Sequence, residues 1–257
     1  LNAIRDYFDH VTGRWSPTRK LYGHAFGAFR GTPGECTTFG NGRNDPHVTI
    51  VGFEGSPTPT WEWAAAWTAQ AATGLTADPA LQLTTRPLVG VLAPADTDRF
   101  TFSERDTLLY DGIATFVVDS GDVVRIERSI TTYQKNAQSQ ADASYLDVTT
   151  LATLARVLRG LDARISVKFG TAKLVDDGTR LGAGQKAKGL WPSKAKAELV
   201  SQYREFERAG LVENSDTFKK ALIVERDEVD PNVLNCFYPP DLVNQFRGLN
   251  VRAQFIV

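Results

Sequence analysis

Methionine is missing altogether, even at position 1, from a chain of 257 residues. A translated chain starts with methionine, so we expect this sequence to be a piece of a longer protein. Its opening residues, LNAIR, also read like the middle of a helix. Cysteine is nearly absent. Cys36 and Cys236 are too few for a disulfide scaffold or a zinc finger, and they fit a reduced, cytosolic-type protein. No stretch approaches the ~20 apolar residues of a membrane span, and no charged-then-apolar leader opens the chain. Neither sign of charge is in excess: Lys and Arg total 29 and Asp and Glu total 30, a net charge of −1. A chain-wide basic field for nucleic acid is therefore excluded, though a local basic patch is not.

What is present is ordinary globular material. Apolar residues make up 42% and charged residues 23%, enough for one large domain or two small ones at ~150 residues each. Residues 20–29 read as a glycine-laced strand. HVTIVGF (47–53), LVGVL (88–92) and ATFVV (114–118) read as short buried strands. Helices are expected at about 60–73, after the Pro-rich SPTPT, and at 104–111, capped by Ser103 with Asp106. The DSGD turn at 119–122 joins two β-rich runs, 115–118 and 123–130, as a hairpin. The expected fold is α/β: a mainly parallel sheet with crossover helices and an antiparallel hairpin. The C-terminal half is more helical. Leu151, Leu154, Leu158, Leu161 and Ile165 form one apolar stripe, preceded by a capping box of Ser144 and Asp147. A second helix spans about 193–209, ended by Gly210, with Leu199, Tyr203 and Phe206 inward. Short strands follow at 222–225 and 233–237. At the end, Leu249, Val251, Ala253, Phe255 and Val257 alternate with Asn250, Arg252, Gln254 and Ile256, the period of a strand. We divide the chain into 1–142 and 143–257, with 249–257 as a terminal arm.

Signs of catalysis are few. His10, His24 and His47 have neither metal-box spacing nor a neighbouring cysteine. His47 follows Asn44-Asp45-Pro46, which reads as a turn opening the strand rather than a general base with an oriented partner. Gly40-Asn-Gly42 precedes a strand, so it reads as a connecting loop and not a dinucleotide loop. The stretch GAGQK (182–186) lacks the ending of a phosphate loop, and no nucleophile elbow occurs. Trp61, Trp63 and Trp67 crowd one helix among alanines, which suits core or a subunit interface. Between Gly178 and Ala197 no acidic residue interrupts Arg180, Lys186, Lys188, Lys194 and Lys196. That stretch is either a surface for an acidic partner or a solvated loop.

The segments YGHAF (22–26), TTFGN (37–41), NDPHVTIV (44–51), WEWAA (61–65), SERDTLLYDGI (103–113), ERSITTYQ (127–134), SYLDV (144–148) and PPDLVNQ (239–245) resemble the tail sheath proteins of Mu-like phages and prophages. The resemblance runs in order along essentially the whole chain. Residues 135–143 and 185–196 depart from it, which affects surface detail. It implies a structural protein of a contractile tail, in its C-terminal, sheath-core portion. Subunits would stack as six-fold rings in a helical array around an inner tube protein, with a baseplate and a tail terminator as further partners. No nucleic acid, no direct membrane insertion, no cofactor, no metal and no catalytic residue is implied. The location would be the virion, with the host cytoplasm during assembly. Terminal arms of the family exchange strands between neighbours, which assigns Leu249, Val251, Ala253, Phe255 and Val257 to a subunit interface. Arg180, Lys186, Lys188, Lys194 and Lys196 become candidates for tube or neighbour contact. Two other readings stand beside this one: a small-molecule enzyme on a doubly wound sheet, and the sheath of a related contractile bacteriocin particle.

Overall fold

A computed structural model describes residues 1–255. The first half runs α1 (Asn2–Phe8), β1 (Ala25–Arg30), α2 (Pro33–Asn41), β2 (Val48–Phe53), α3 (Thr60–Ala77), α4 (Phe102–Tyr110), β3 (Thr115–Val118) and β4 (Val124–Arg128). Every residue of β2 is buried, as its unbroken β-branched and apolar run requires. β1 lies parallel to it, with Ala25 opposite Val48 and Arg30 opposite Phe53. On the other side Ala114 bridges Val51 in parallel. β3 and β4 form the expected hairpin, with a bulge between Thr115 and Phe116. In its turn the Asp119 carboxylate accepts the Gly121 and Val123 amides and an Arg125 N–H. The result is a mixed α/β protein with small sheets.

Several expectations are corrected. Residues 88–92 form no strand: Gly90 takes φ +87°, which turns the chain. The buried residues there are Leu88 and Val91, three apart, while Val89 and Leu92 are exposed, so the period is a turn's. The first strand starts at Ala25 because Lys20, Tyr22 and Gly23 all have positive φ. α4 is capped by Thr101 and Glu104, not Ser103 and Asp106. Glu104 is long enough to reach back to the Thr101 amide at 2.7 Å. α2 ends on residues expected to be loop, Gly40 and Asn41, and its earlier residues carried no expectation. Its signal was the capping box of Thr32 and Glu35, with Pro33 in the first turn. Gly40 and Asn41 are its last residues. A Cβ on Gly40 would lie 2.1 Å from the Asp111 carbonyl oxygen, so glycine here permits close packing against the end of α4.

The second half contains α5 (Val148–Phe169), β5 (Lys173–Leu174), α6 (Ala183–Lys186), β6 (Gly189–Leu190), α7 (Pro192–Arg208), α8 (Ser215–Ala221), β7 (Ile223–Arg226) and β8 (Leu234–Phe237). α5 extends past the predicted stripe at both ends. Its capping residue, Asp147, makes no cap bond, because its carboxylate is held by Arg128 and Arg247. Ser144 bonds Asp142 instead of closing a box. β7 and β8 pair antiparallel, Ile223 opposite Phe237. α8 was not legible beforehand. Its N-cap, Asn214, sits in the left-handed region without a side-chain cap bond.

Two larger cores result. One joins Val51 and Phe53 to Trp63 and Trp67 of α3 and to Ile126 and Ile130. The other joins Val157 of α5 to Leu199 and Tyr203 of α7 and to Phe218 and Leu222. Tyr203 and Phe218 stack at 3.7 Å. A smaller cluster bridges the halves: Phe8, Trp15 and Tyr22 pack on Leu151 and Ala155 of α5.

Candidate assembly interface

The chain is fastened to the body up to Arg247 and released after it. Gln245 donates to Thr149 and to the Ala80 carbonyl. Gln82 donates to the Phe246 carbonyl, and Arg247 pairs with Asp147. At Gly248 nothing lies within 4 Å of where a Cβ would stand. Residues 249–255 then join no ladder among the described residues. Leu249, Val251 and Phe255 are 74%, 72% and 87% exposed, and Ala253 is exposed too. Val257 lies outside the described residues. The apolar residues of this alternating segment therefore face water beyond a glycine joint.

The same half of the chain also carries an exposed hairpin. β7 and β8 form a two-stranded sheet, so among the described residues each has one edge without a ladder partner. Ile223 and Phe237 are 48% and 60% exposed. An isolated two-stranded hairpin is marginal in water, and its edges are templates for another chain. This hairpin is steadied on one side by α7, α8 and Tyr238.

The five basic residues are not equivalent. Arg180, Lys186 and Lys188 are exposed, on the excursion that carries β5, α6 and β6. Asp176 ties the excursion to Arg226 at 2.8 Å, and Asp177 meets the Ser193 amide at 3.3 Å. Lys194 turns inward: its Nζ donates to the Gly189 carbonyl at 2.6 Å and lies 5.4 Å from the Trp191 ring centroid. Lys196 is half-buried. The exposed positive charge is therefore narrower than the sequence suggested. Lys186 sits in a four-residue helix, too short to cradle a phosphate.

The tryptophans divide. Trp63 and Trp67 are fully buried, while Trp61 is 71% exposed. Cys36 is buried, and burial pushes its thiol up to about 12. The histidines, read apart in the sequence, partly converge. His47 Nε2 lies 2.9 Å from His10 Nε2, and His24 Nε2 lies 2.7 Å from Thr49 Oγ1. His47 is thus a packed core residue at the head of β2 as well as the end of a turn. Sequence spacing held no signal for its pairing with His10. No group of three or more His, Cys, Asp or Glu stands together as a metal site among the described residues. No described helix is long and apolar enough to cross a membrane.

Comparison with known proteins gives these surfaces a context. Residues 1–132 match the family model for the phage tail sheath protein central domain, and residues 140–256 match the phage tail sheath C-terminal domain. The chain is 40% identical over its whole length to the Mu-like prophage FluMu tail sheath protein of Haemophilus influenzae. It spans 52% of that curated relative. Among solved structures it resembles the sheath tail protein of Desulfitobacterium hafniense, with a TM-score of 0.56 and 16% identity, covering 95% of this chain and 54% of that one. It also resembles the contracted helical sheath of the anti-feeding prophage, with a TM-score of 0.55 and 12% identity, covering 82% of this chain and 56% of that one.

Proposed function

The chain belongs to the phage tail sheath protein family, and from that premise we propose that it is the core part of a subunit of a contractile sheath. Subunits polymerise as stacked rings around an inner tube, dock on a baseplate at one end and a terminator at the other, and contract to drive the tube through the host envelope. Its place is in the virion tail, after assembly in the host cytoplasm. The role is mechanical, without catalysis. Residues 1–142, with parallel strands joined by crossover helices, make up one part, and residues 143–257 make up the other and carry the arm.

The observation that carries this reading is the terminal segment. Strand addition supplies main-chain hydrogen bonds for affinity and alternate side chains for register. Leu249, Val251, Ala253, Phe255 and Val257 provide the alternation, and the edges of β7 and β8 provide a template on a neighbouring subunit. Gly248 lets the body rotate while the strand link holds, since glycine tolerates wide backbone angles. A contact between body surfaces alone would have to break and reform during contraction. Arg180, Lys186 and Lys188 supply charge that sets register against the tube or a neighbour, an effect that weakens with salt.

Deleting residues 249–257 from the full-length protein tests the link. The truncated protein should keep its helical circular-dichroism signal and melt cooperatively, because neither large core includes any of the described residues 249–255. It should form no extended sheaths. Truncated subunits that still assemble into sheaths contracting intact would show that the strand is not the link.

A further inference from the structure

Residues 8–22 pack on α5 through a small aromatic cluster that a histidine pair flanks. Phe8, Trp15 and Tyr22 pack on Leu151 and Ala155. Trp15 stacks on His47, centroids 4.4 Å apart and planes 16° from parallel. His47 is 3% exposed, while His10 keeps a solvent-facing side. Their Nε2 atoms are 2.9 Å apart. Such a contact holds one proton, so one ring donates and the other accepts.

The surroundings fix which ring does which. His47 Nδ1 is buried and has no hydrogen-bond partner. A proton there would be a buried donor without an acceptor, the costlier of the two arrangements. We therefore assign the donor N–H to His47 Nε2 and the accepting lone pair to His10 Nε2, an assignment from the network of contacts. A proton arriving from solvent at His10 Nε2 removes that acceptor. Two N–H groups then face each other, or His47 must shift its proton to the partnerless Nδ1. The first outcome breaks the pair, and the second keeps it only by burying an unpartnered N–H at His47 Nδ1.

We propose that the His10–His47 pair is a proton-operated latch, closed near neutral pH, whose protonation at His10 releases residues 8–22 from α5 and loosens the joint between the two halves of the chain. The groups facing it are consistent with that role. Asp9, beside His10, is held down to about 2 by the Thr12 and Val11 amides, so it stays ionised and favours a proton on His10. Asp45, two residues before His47, is occupied by Arg43, with Arg5 at 4.0 Å. Arg14 is engaged by the Tyr22 carbonyl and lies 5.6 Å and 6.0 Å from the ring centroids of Tyr7 and Phe8. Just before β1, His24 bonds Thr49, and burial holds it at about 3. Tyr145 flanks His10 at 6.1 Å, and Tyr133 beyond it donates to Asp142. From α5, Arg159 lies over Tyr22 and Asp162 pairs with Lys20.

The sign follows from burial. Stacking on Trp15 favours a cation on His47, but desolvation opposes it more strongly and lowers His47 to about 3, with His10 and His24 adding repulsion. His10 is also lowered by desolvation, against the pull of Asp9. A histidine whose folded pKa lies below its unfolded value contributes stability fully above about 6.5 and loses it as pH falls toward the folded value. Each proton taken up on release raises the released population by up to about tenfold per pH unit in that window.

The test is nitrogen-15 NMR of the 257-residue chain from pH 7.5 to 4.5. Long-range histidine spectra should report the Nε2–H form of His47 at pH 7.5. As pH falls, amides of residues 8–22 should move to unfolded positions while those of α7 stay fixed. The double variant His10→Gln with His47→Gln, whose amides pair without titrating, should keep the segment docked across the range. If that variant does not dock at pH 7.5, the wild-type titration decides alone. Histidines that titrate at or above 6.5 with the segment still docked would overturn the latch. The same acid release in a docked double variant would also overturn it.

Discussion

Replacing Trp63 by alanine empties the centre of the larger core. Its indole is fully buried, stacks on Phe53 at 4.4 Å and 11°, and leans on Phe116 at 4.8 Å. Its Nε1 donates to Ser56 Oγ at 3.1 Å. Ser56 keeps its bonds to the Leu92 carbonyl and the Thr58 amide, so the deletion leaves no orphaned hydroxyl. The loss is then burial plus cavity, about 3–5 kcal/mol for tryptophan to alanine. A chain of this size loses about 2–4 °C per kcal/mol, so the melting midpoint should fall by about 6–20 °C. Trp61, only two residues away, is 71% exposed. Trp61→Ala should change stability by no more than about 0.5 kcal/mol. Thermal melts of both variants, followed by circular dichroism, separate the two. Equal losses for Trp61→Ala and Trp63→Ala, or a loss below about 1 kcal/mol for Trp63→Ala, would mean that α3 does not seat on the sheet by this face.

Reversing Arg180, Lys186 and Lys188 to glutamate should leave the melt unchanged and impair sheath assembly in the full-length protein. Unaltered assembly would return the stretch to a solvated loop. Lys194→Glu should instead destabilise the monomer, because it removes the bond to Gly189 and the contact with Trp191. Gly40→Ala forces a Cβ to 2.1 Å from the Asp111 carbonyl oxygen and should cost about 1–3 kcal/mol in denaturant titration. Gly34→Ala, in the same helix with open space around it, should stabilise by up to about 1 kcal/mol. A thiol reagent should label Cys236 in the native protein and reach buried Cys36 only on unfolding. Its rate at Cys236 should be below that of a free thiol, because partial burial raises that thiol as well.

Legibility in the sequence followed the range of the interactions involved. β2, the β3–β4 hairpin, α5 and α7 were visible because period, turn residues and apolar stripes are local. α2 is short, and its only strong local signal is the Thr32–Glu35 box, while Gly40 and Gly42 at its end have the composition of a loop. The false strand at 88–92 failed at Gly90, where a left-handed residue turns an apolar run that composition alone cannot distinguish from a strand. Ser144 and Asp147 looked like a capping box, but tertiary partners, Arg128 and Arg247, claimed the aspartate. At the candidate interface the alternation of 249–257 was plain, whereas the anchoring at Gln245 and Arg247 depends on contacts with Ala80, Thr149 and Asp147. The inward turn of Lys194 and the meeting of His10 with His47 depend in the same way on packing.

The most direct measurement is electron microscopy of the full-length protein, purified and negatively stained, with and without its tube protein. A sheath subunit should give striated tubes or sleeves of uniform width, ordered around the tube when it is present. Uniform small globules under conditions where the protein is folded would contradict the sheath reading.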